Sequence, residues 1–317
     1  MAKELLVAVA LGILSTLLLS ISVVGNSGMA TYGMAFQSLA LWTLSLVPLF
    51  VSGLGFGVRS AAISVVSGAV VAAVLLDPVF GLTYAGISGV PVVILVRQAL
   101  LKREADGQIF WYPTEYLMMW WAGICIALTV AAMVMLNWDE GLRQALVSAF
   151  DQMMVQLKEI RGVNSALTGS DFVAMMPQFL GPMWGLFILL SGSLAQGVLV
   201  RFNRNIRPTP ELTKMELPVW LALAFTAAVV LSIILDGHWP VVGAIVITLE
   251  TVFFLQGMAV IHVVSRRWNG RPFILGAIYA VLIVTLWLVV VITILGLMEN
   301  WVGFRRRFAP PTREEDD

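Results

Sequence analysis

Long apolar blocks, one after another, constrain this chain more than any other feature. A helix rises about 1.5 Å per residue, so about twenty apolar residues cross the hydrocarbon of a bilayer. Nine blocks have this character: Leu5–Val24, Ala35–Phe56, Ser60–Leu76, Val79–Val96, Tyr116–Leu136, Phe179–Val200, Leu217–Leu235, Pro240–Val264 and Phe273–Leu297. They do not alternate apolar with polar, as the strands of a membrane barrel do. Charged residues make up 12% of the 317, about half the usual share of about 25%. That supply cannot clothe a water-soluble protein of this size. The composition excludes a soluble enzyme, a disordered chain and a nucleic-acid binder. The expected fold is all-α: a polytopic transmembrane helical bundle of eight or nine spans in a lipid bilayer.

Leu5–Val24 is longer than a signal-peptide core, and no Ala-x-Ala cleavage pattern follows it. It reads as an uncleaved first span, with a signal anchor as a close variant. Gly86, Gly89 and Pro91 interrupt the fourth block and Pro48 the second. Such breakers are tolerated where neighbouring helices satisfy the freed backbone groups, which sets these spans inside a bundle.

Lys and Arg clusters mark the cytoplasmic side. Arg97, Lys102 and Arg103 follow the fourth block, Arg201, Arg204, Arg207 and Lys214 the sixth, and Arg266, Arg267 and Arg271 the eighth. These three alternate consistently and set the N-terminus on the cytoplasmic side. Arg305, Arg306 and Arg307 conflict, because after a ninth span they fall outside. Either the count is wrong by one or the last segment breaks the rule.

Four stretches are expected: a five-span bundle over 1–136, an extracytoplasmic segment over 137–178, further spans over 179–304 and an exposed tail over 305–317. In the second, Leu142, Leu146, Phe150, Met153, Leu157 and Ile160 recur at helical spacing. Charged residues fill the other faces, as in an amphipathic helix on the outer surface. Gly162–Ser170 reads as a loop, and Ala309–Asp317 as an exposed end.

Ala8 with Gly12, and Ser64 with Gly68, lie four residues apart on helix faces. Small residues let helices approach closely in lipid. The two readings are internal packing and docking of a second membrane protein. Glu250 sits near the middle of its block, where an ionisable group marks a site by default. With Gln256 and His262 farther along, it forms the candidate ligand-binding set. The rival reading is a neutral Glu hydrogen-bonded to a neighbouring helix, with a structural His262. His238 reads as part of an outer turn. Trp111-Tyr112-Pro113 and Trp120-Trp121 read as interfacial aromatics.

Enzyme signatures are weak. Gly86-Ile87-Ser88-Gly89 is similar to the nucleophile motif of rhomboid proteases, but His262 lacks the small residues of their histidine helix. The sequence has no H-E-x-x-H, no phosphate-binding loop and no paired aspartates in spans. The lone Cys125 excludes an internal disulfide and a cysteine metal site. No catalytic residue, metal or cofactor is expected, and any ATP-driven transport needs another subunit. Lys plus Arg and Asp plus Glu are both 19, so no net field draws nucleic acid.

Several strings carry a resemblance together. They are Trp111-Tyr112-Pro113, Arg207-Pro208-x-Pro210 leading to Leu217-Pro218-x-Trp220, Phe254-Leu255-Gln256-Gly257 running to His262, and Leu295-Gly296-Leu297 followed by Trp301 and Phe304-Arg305-Arg306. The chain resembles the YybS-like family of bacterial inner-membrane proteins. That family is distantly similar to the substrate-binding S-components of energy-coupling-factor (ECF) transporters. The resemblance implies small-molecule binding or transport without an ATPase of its own, and docking of an energising module through Ala8-x-x-x-Gly12. The alternative is a non-transporting scaffold that organises partner proteins.

Overall fold

The structure is a computed structural model that describes residues 2–24, 32–161, 167–236, 239–285 and 287–308. The turn at His238, most of the Gly162–Ser170 loop and the Ala309–Asp317 tail lie outside the described residues.

The chain is an all-α membrane bundle. Helices α1 (Ala2–Val24), α2 (Tyr32–Phe56) and α3 (Val58–Leu75) come first. The fourth apolar block is three pieces: α4 (Pro78–Thr83), a π-helical stretch over Tyr84–Gly89 and α5 (Val90–Ala99). A hairpin of β1 (Lys102–Ala105) and β2 (Gln108–Trp111) precedes α6 (Thr114–Trp138). Then come α7 (Glu140–Arg161), α8 (Gly169–Met175), α9 (Pro177–Arg201), α10 (Val219–Ile234) and α11 (Pro240–Val264). Last are α12 (Arg271–Val284), α13 (Trp287–Val302) and α14 (Phe304–Phe308). Among the described residues, seven helical stretches are long and apolar enough to cross a membrane. Helices α10, α12 and α13 are shorter apolar helices of 16, 14 and 16 residues.

The ninth block therefore needs correction. Phe273–Leu297 is not one helix but parts of two. The backbone at Thr285 turns extended (φ −126°, ψ 121°), and its N–H still closes on the Val281 carbonyl. No Gly or Pro marks the break, so hydropathy reads straight through it.

The chain divides into two compact units, Met1–Ile124 with Met183–Pro210, and Cys125–Pro182 with Glu211–Asp317. In the first unit, α1 and α3 pack through the small residues. The Ser64 hydroxyl donates to the Ala8 carbonyl at 2.7 Å, and Thr16 donates to that of Gly68 at 2.8 Å. A methyl group on Gly12 would strike the Ser64 carbonyl oxygen. Ala8, Gly12, Ser64 and Gly68 thus meet one another within the chain, as in the internal-packing reading of these faces.

Proline accounts for the broken fourth block. In an α-helix the Ile87 carbonyl takes its bond from the N–H four residues on, and Pro91 has none. The Trp184 indole donates to it instead, at 2.8 Å. Trp121 departs from the interfacial reading: it is fully buried, and its indole donates to the Gly185 carbonyl at 2.8 Å.

The hairpin turns on Asp106 and Gly107, both at positive φ (52° and 73°), the signature of a two-residue type I′ turn. Its roots are tied by Arg207, which donates to the carbonyls of Ala99 (3.0 Å) and Tyr112 (2.8 Å). Burial lowers the guanidinium's pKa, but an arginine stays charged in proteins.

In the second unit α7 is the amphipathic helix, with α8 against it. Phe150 stacks on Phe172 with ring centroids 4.2 Å apart, and Asp151 accepts from the Gly169 N–H. Gly169 and Ser170 open α8 instead of ending a loop. Along its apolar face Leu142, Leu146, Phe150 and Leu157 are half-buried, while Met153 and Ile160 are 46% and 78% exposed.

Candidate functional site

Two glycines build the site. A methyl group on Gly257 of α11 would strike the Ile292 carbonyl oxygen of α13, and one on Gly296 would strike that of Phe253. Only a bare Cα lets the backbones come this close. The approach sets Gln256 against Asn300, and the Gln256 side-chain amide donates to Asn300 Oδ1 at 2.6 Å. Both strings carrying these glycines belong to the family resemblance, and their close packing gives those short motifs a physical reason.

Gly303 then reverses the chain. Its φ of 64° lies in the left-handed region, where a side chain is strained and glycine is the common helix terminator. Helix α14 folds back so that Arg305 reaches residues that precede it. Its Nε donates to Glu299 Oε1 at 2.9 Å, and a terminal nitrogen donates to the Thr213 carbonyl at 2.9 Å. Arg306 donates to both carboxylate oxygens of Glu216 at 3.0 Å. The first pair is buried and the second lies open to solvent. A surface pair of the second kind contributes at most about 1 kcal/mol. Breaking the first would leave a buried charge uncompensated, which costs several times more.

Between these groups lies a cleft of ≈ 330 Å³, walled by Glu216, Gln256, Glu299, Asn300, Trp301 and the arginines. Three buried side-chain atoms at this end have no hydrogen-bond partner among the described residues: Gln256 Oε1, Glu299 Oε2 and Asn300 Nδ2. Gln256 is 1% exposed and Glu299 6%. Buried polar atoms are normally paired, because an unmet group loses about 1–3 kcal/mol of hydration. Unmet atoms around a cleft leave a pattern for something else to complete.

The expected ligand set does not assemble here. Of Glu250, Gln256 and His262, only Gln256 lines the cleft. Glu250 is half-buried, six residues back, about 9 Å along the helix axis and on another face. It makes no hydrogen bond or ion pair among the described residues. His262 has both ring nitrogens occupied: Nδ1 by the Met258 carbonyl at 2.9 Å and Nε2 by the Tyr279 hydroxyl at 3.2 Å. It ties α12 to α11, its structural reading.

Glu299 and Asn300 escaped the sequence reading because they follow an apolar run and look like residues leaving the membrane. The usable signal was Met298-Glu299-Asn300-Trp301, a polar pair that does not end the helix, three and four residues after Gly296. Among the described residues no group of three or more His, Cys, Asp or Glu could hold a metal ion.

The family model described as "Predicted membrane protein (DUF2232)" matches residues 38–299. The chain belongs to this family. The DUF2232 match takes in α11, Gln256 and Glu299, and stops one residue short of Asn300. No curated protein and no solved structure matches the chain. As a DUF2232 member it is an integral, multi-pass membrane protein.

Proposed function

We propose that the protein binds a small polar molecule in the cleft between α11, α13 and α14, and serves as the membrane-embedded binding subunit of a transport system. It would resemble an S-component in lacking an ATPase of its own. The observation that carries this is the set of unmet atoms on Gln256, Glu299 and Asn300 around an open cleft. Seats of this kind bind ligands with a few placed polar groups.

The proposed topology follows from the arginines. Arg305 and Arg306 meet Thr213 and Glu216, beside Lys214 and at the entry to α10. The break after α12 supplies the return pass that nine spans lacked. All four basic clusters then fall on one side, the cytoplasmic face of a bacterial inner membrane by the positive-inside rule. The N-terminus lies on the same side. The cleft opens toward the cytoplasm.

The test is ligand-dependent stabilisation of the purified full chain in detergent, screened against small polar metabolites, together with assay for a nucleotide-hydrolysing subunit retained through purification. A ligand present at 100 times its Kd stabilises by about 2.7 kcal/mol. No stabilisation by any compound, with a stable protein complex that carries no ATPase, would establish the second reading, a scaffold. One observation favours that second reading: α7 and α8 leave Met153, Val155, Ile160 and Met175 exposed.

A further inference from the structure

The unmet atoms at the cleft say more than that something binds. Gln256 Oε1 and Glu299 Oε2 are acceptors, and Asn300 Nδ2 is a donor. Exchanging the N and O positions of both amides leaves the count unchanged. The Gln256–Asn300 bond would reverse, and one donor and one acceptor would still be free.

Simple ligands fail on this count. A bare phosphate or sulfate would face the free oxygen of a buried carboxylate at short range and be repelled. A bare amine would answer the two acceptors and leave Asn300 Nδ2 unmet. The arginines sharpen the point. Arg305 is spent on Glu299 and Thr213, and Arg306 on Glu216. Arg307 lines the cleft with no ion pair among the described residues. The free groups are thus a carboxylate oxygen and an amide oxygen on one hand, and an amide N–H and a guanidinium on the other.

We infer that the cleft takes a small zwitterion: a primary ammonium beside an anionic phosphate or carboxylate. This rests on the reading of the cleft as a binding site and names the class of ligand. The ammonium donates to Glu299 Oε2 and Gln256 Oε1. The anionic group accepts from Asn300 Nδ2 and from Arg307. A volume of ≈ 330 Å³ is at the small end of ligand pockets, about 300–1,000 Å³, which suits a headgroup-sized molecule. That chemistry has two sources, a free zwitterion or the headgroup of an aminophospholipid.

The experiment measures thermal unfolding and calorimetric binding on the full-length protein, in detergent and in nanodiscs. The free probes are ethanolamine phosphate, β-alanine, ethanolamine and inorganic phosphate. The nanodisc arms are phosphatidylethanolamine against phosphatidylglycerol. The expected result is stabilisation by at least one zwitterion, or by the phosphatidylethanolamine disc alone, and by neither ethanolamine nor phosphate at the same concentration. Free-probe binding assigns a soluble ligand; an effect confined to the disc assigns a lipid headgroup. Arg307→Gln alters an exposed residue and leaves the fold intact, so it should weaken zwitterion binding about tenfold, the loss of one charge-assisted bond. Gln256→Met, similar in volume, should weaken it comparably. Equal binding of phosphate or ethanolamine alone, or binding indifferent to both substitutions, overturns the zwitterion while leaving the cleft a binding site. Silence from every probe overturns the zwitterion, and silence from the wider metabolite screen as well overturns the binding reading.

Discussion

The bond from Trp184 to the Ile87 carbonyl can be isolated energetically, because its cause is known. Pro91 removes the backbone donor, and the indole replaces it at 2.8 Å. Trp184→Phe keeps an aromatic ring but removes the N–H, leaving a carbonyl in apolar surroundings without a donor. The loss combines ring area with one hydrogen bond, and membrane proteins average about 0.6 kcal/mol for such a bond with a maximum near about 1.7. An unmet carbonyl puts this one in the upper half, at about 1–1.5 kcal/mol. Pro91→Ala restores an N–H at the position that can serve Ile87. In that background Trp184→Phe should cost only the ring-area part. A double-mutant cycle on the detergent-solubilised protein, unfolded by titration with a denaturing detergent, reads the difference directly. The predicted coupling is about 1 kcal/mol between residues 93 positions apart in the chain. Distant, independent sites add within about 0.3–0.5 kcal/mol. A coupling inside that range would show that the indole does not stand in for the missing N–H.

Other expectations follow from the same geometry. Gly296→Leu puts a side chain against the Phe253 carbonyl, so α13 should lose its seat on α11; the folded fraction by size exclusion should fall sharply, while Gly276→Leu, where no atom lies within 4 Å, should not change it. The sole cysteine, Cys125, is buried, so Arg307→Cys gives a single labelling site, which a membrane-impermeant maleimide should reach in inverted vesicles and not in whole cells; the opposite result would reverse the proposed topology. Glu250→Gln should leave folding and insertion intact, and any loss of activity would assign the carboxyl a proton or charge role outside the cleft. Thr168 holds Asp171 below the usual carboxylate range by bonding its charged form. A depressed pKa stabilises above the ordinary value, about 4, and that support is lost as pH falls through the lowered one. The protection of amides in the first turn of α8, corrected for the pH dependence of intrinsic exchange, should therefore fall in that acid window and be flat above it.

Hydropathy exposes the long helices because each must carry its own backbone hydrogen bonds through lipid. That physics is written into every block from Leu5 onward, and the amphipathic character of Glu140–Arg161 is equally plain. The break between α12 and α13 is hidden for the opposite reason. Val284 and Thr285 are as apolar or β-branched as their neighbours, so the break leaves no mark in composition. The hairpin had a legible turn in Asp106-Gly107, but Lys102 and Arg103 drew the reading toward topology. At the candidate site, Gln256 was visible as a polar residue deep in an apolar run. Its companions were not, since Glu299 and Asn300 resemble any helix end and become buried only when Gly303 folds the chain back. Glu250, prominent in the sequence, gains no partner among the described residues, because prominence in one dimension says nothing about which helix lies opposite.

The span between the cleft's walls also bears on how the chain is made. Gln256 waits 44 residues for Asn300, and the Thr213 carbonyl waits 92 for Arg305. Synthesis adds about 5–20 residues per second, so α10 and α11 emerge seconds before the segment that completes them. Throughout that interval an amide on α11 lacks the partner it will hold in the finished protein. Release of an early-inserted helix with such a group into lipid is unfavourable until its counterpart arrives. The turn at Gly303 thus sets the moment at which the second unit can leave the insertion machinery, and a slow codon or a stall shortly before it would lengthen the vulnerable period more than one placed anywhere in the first unit.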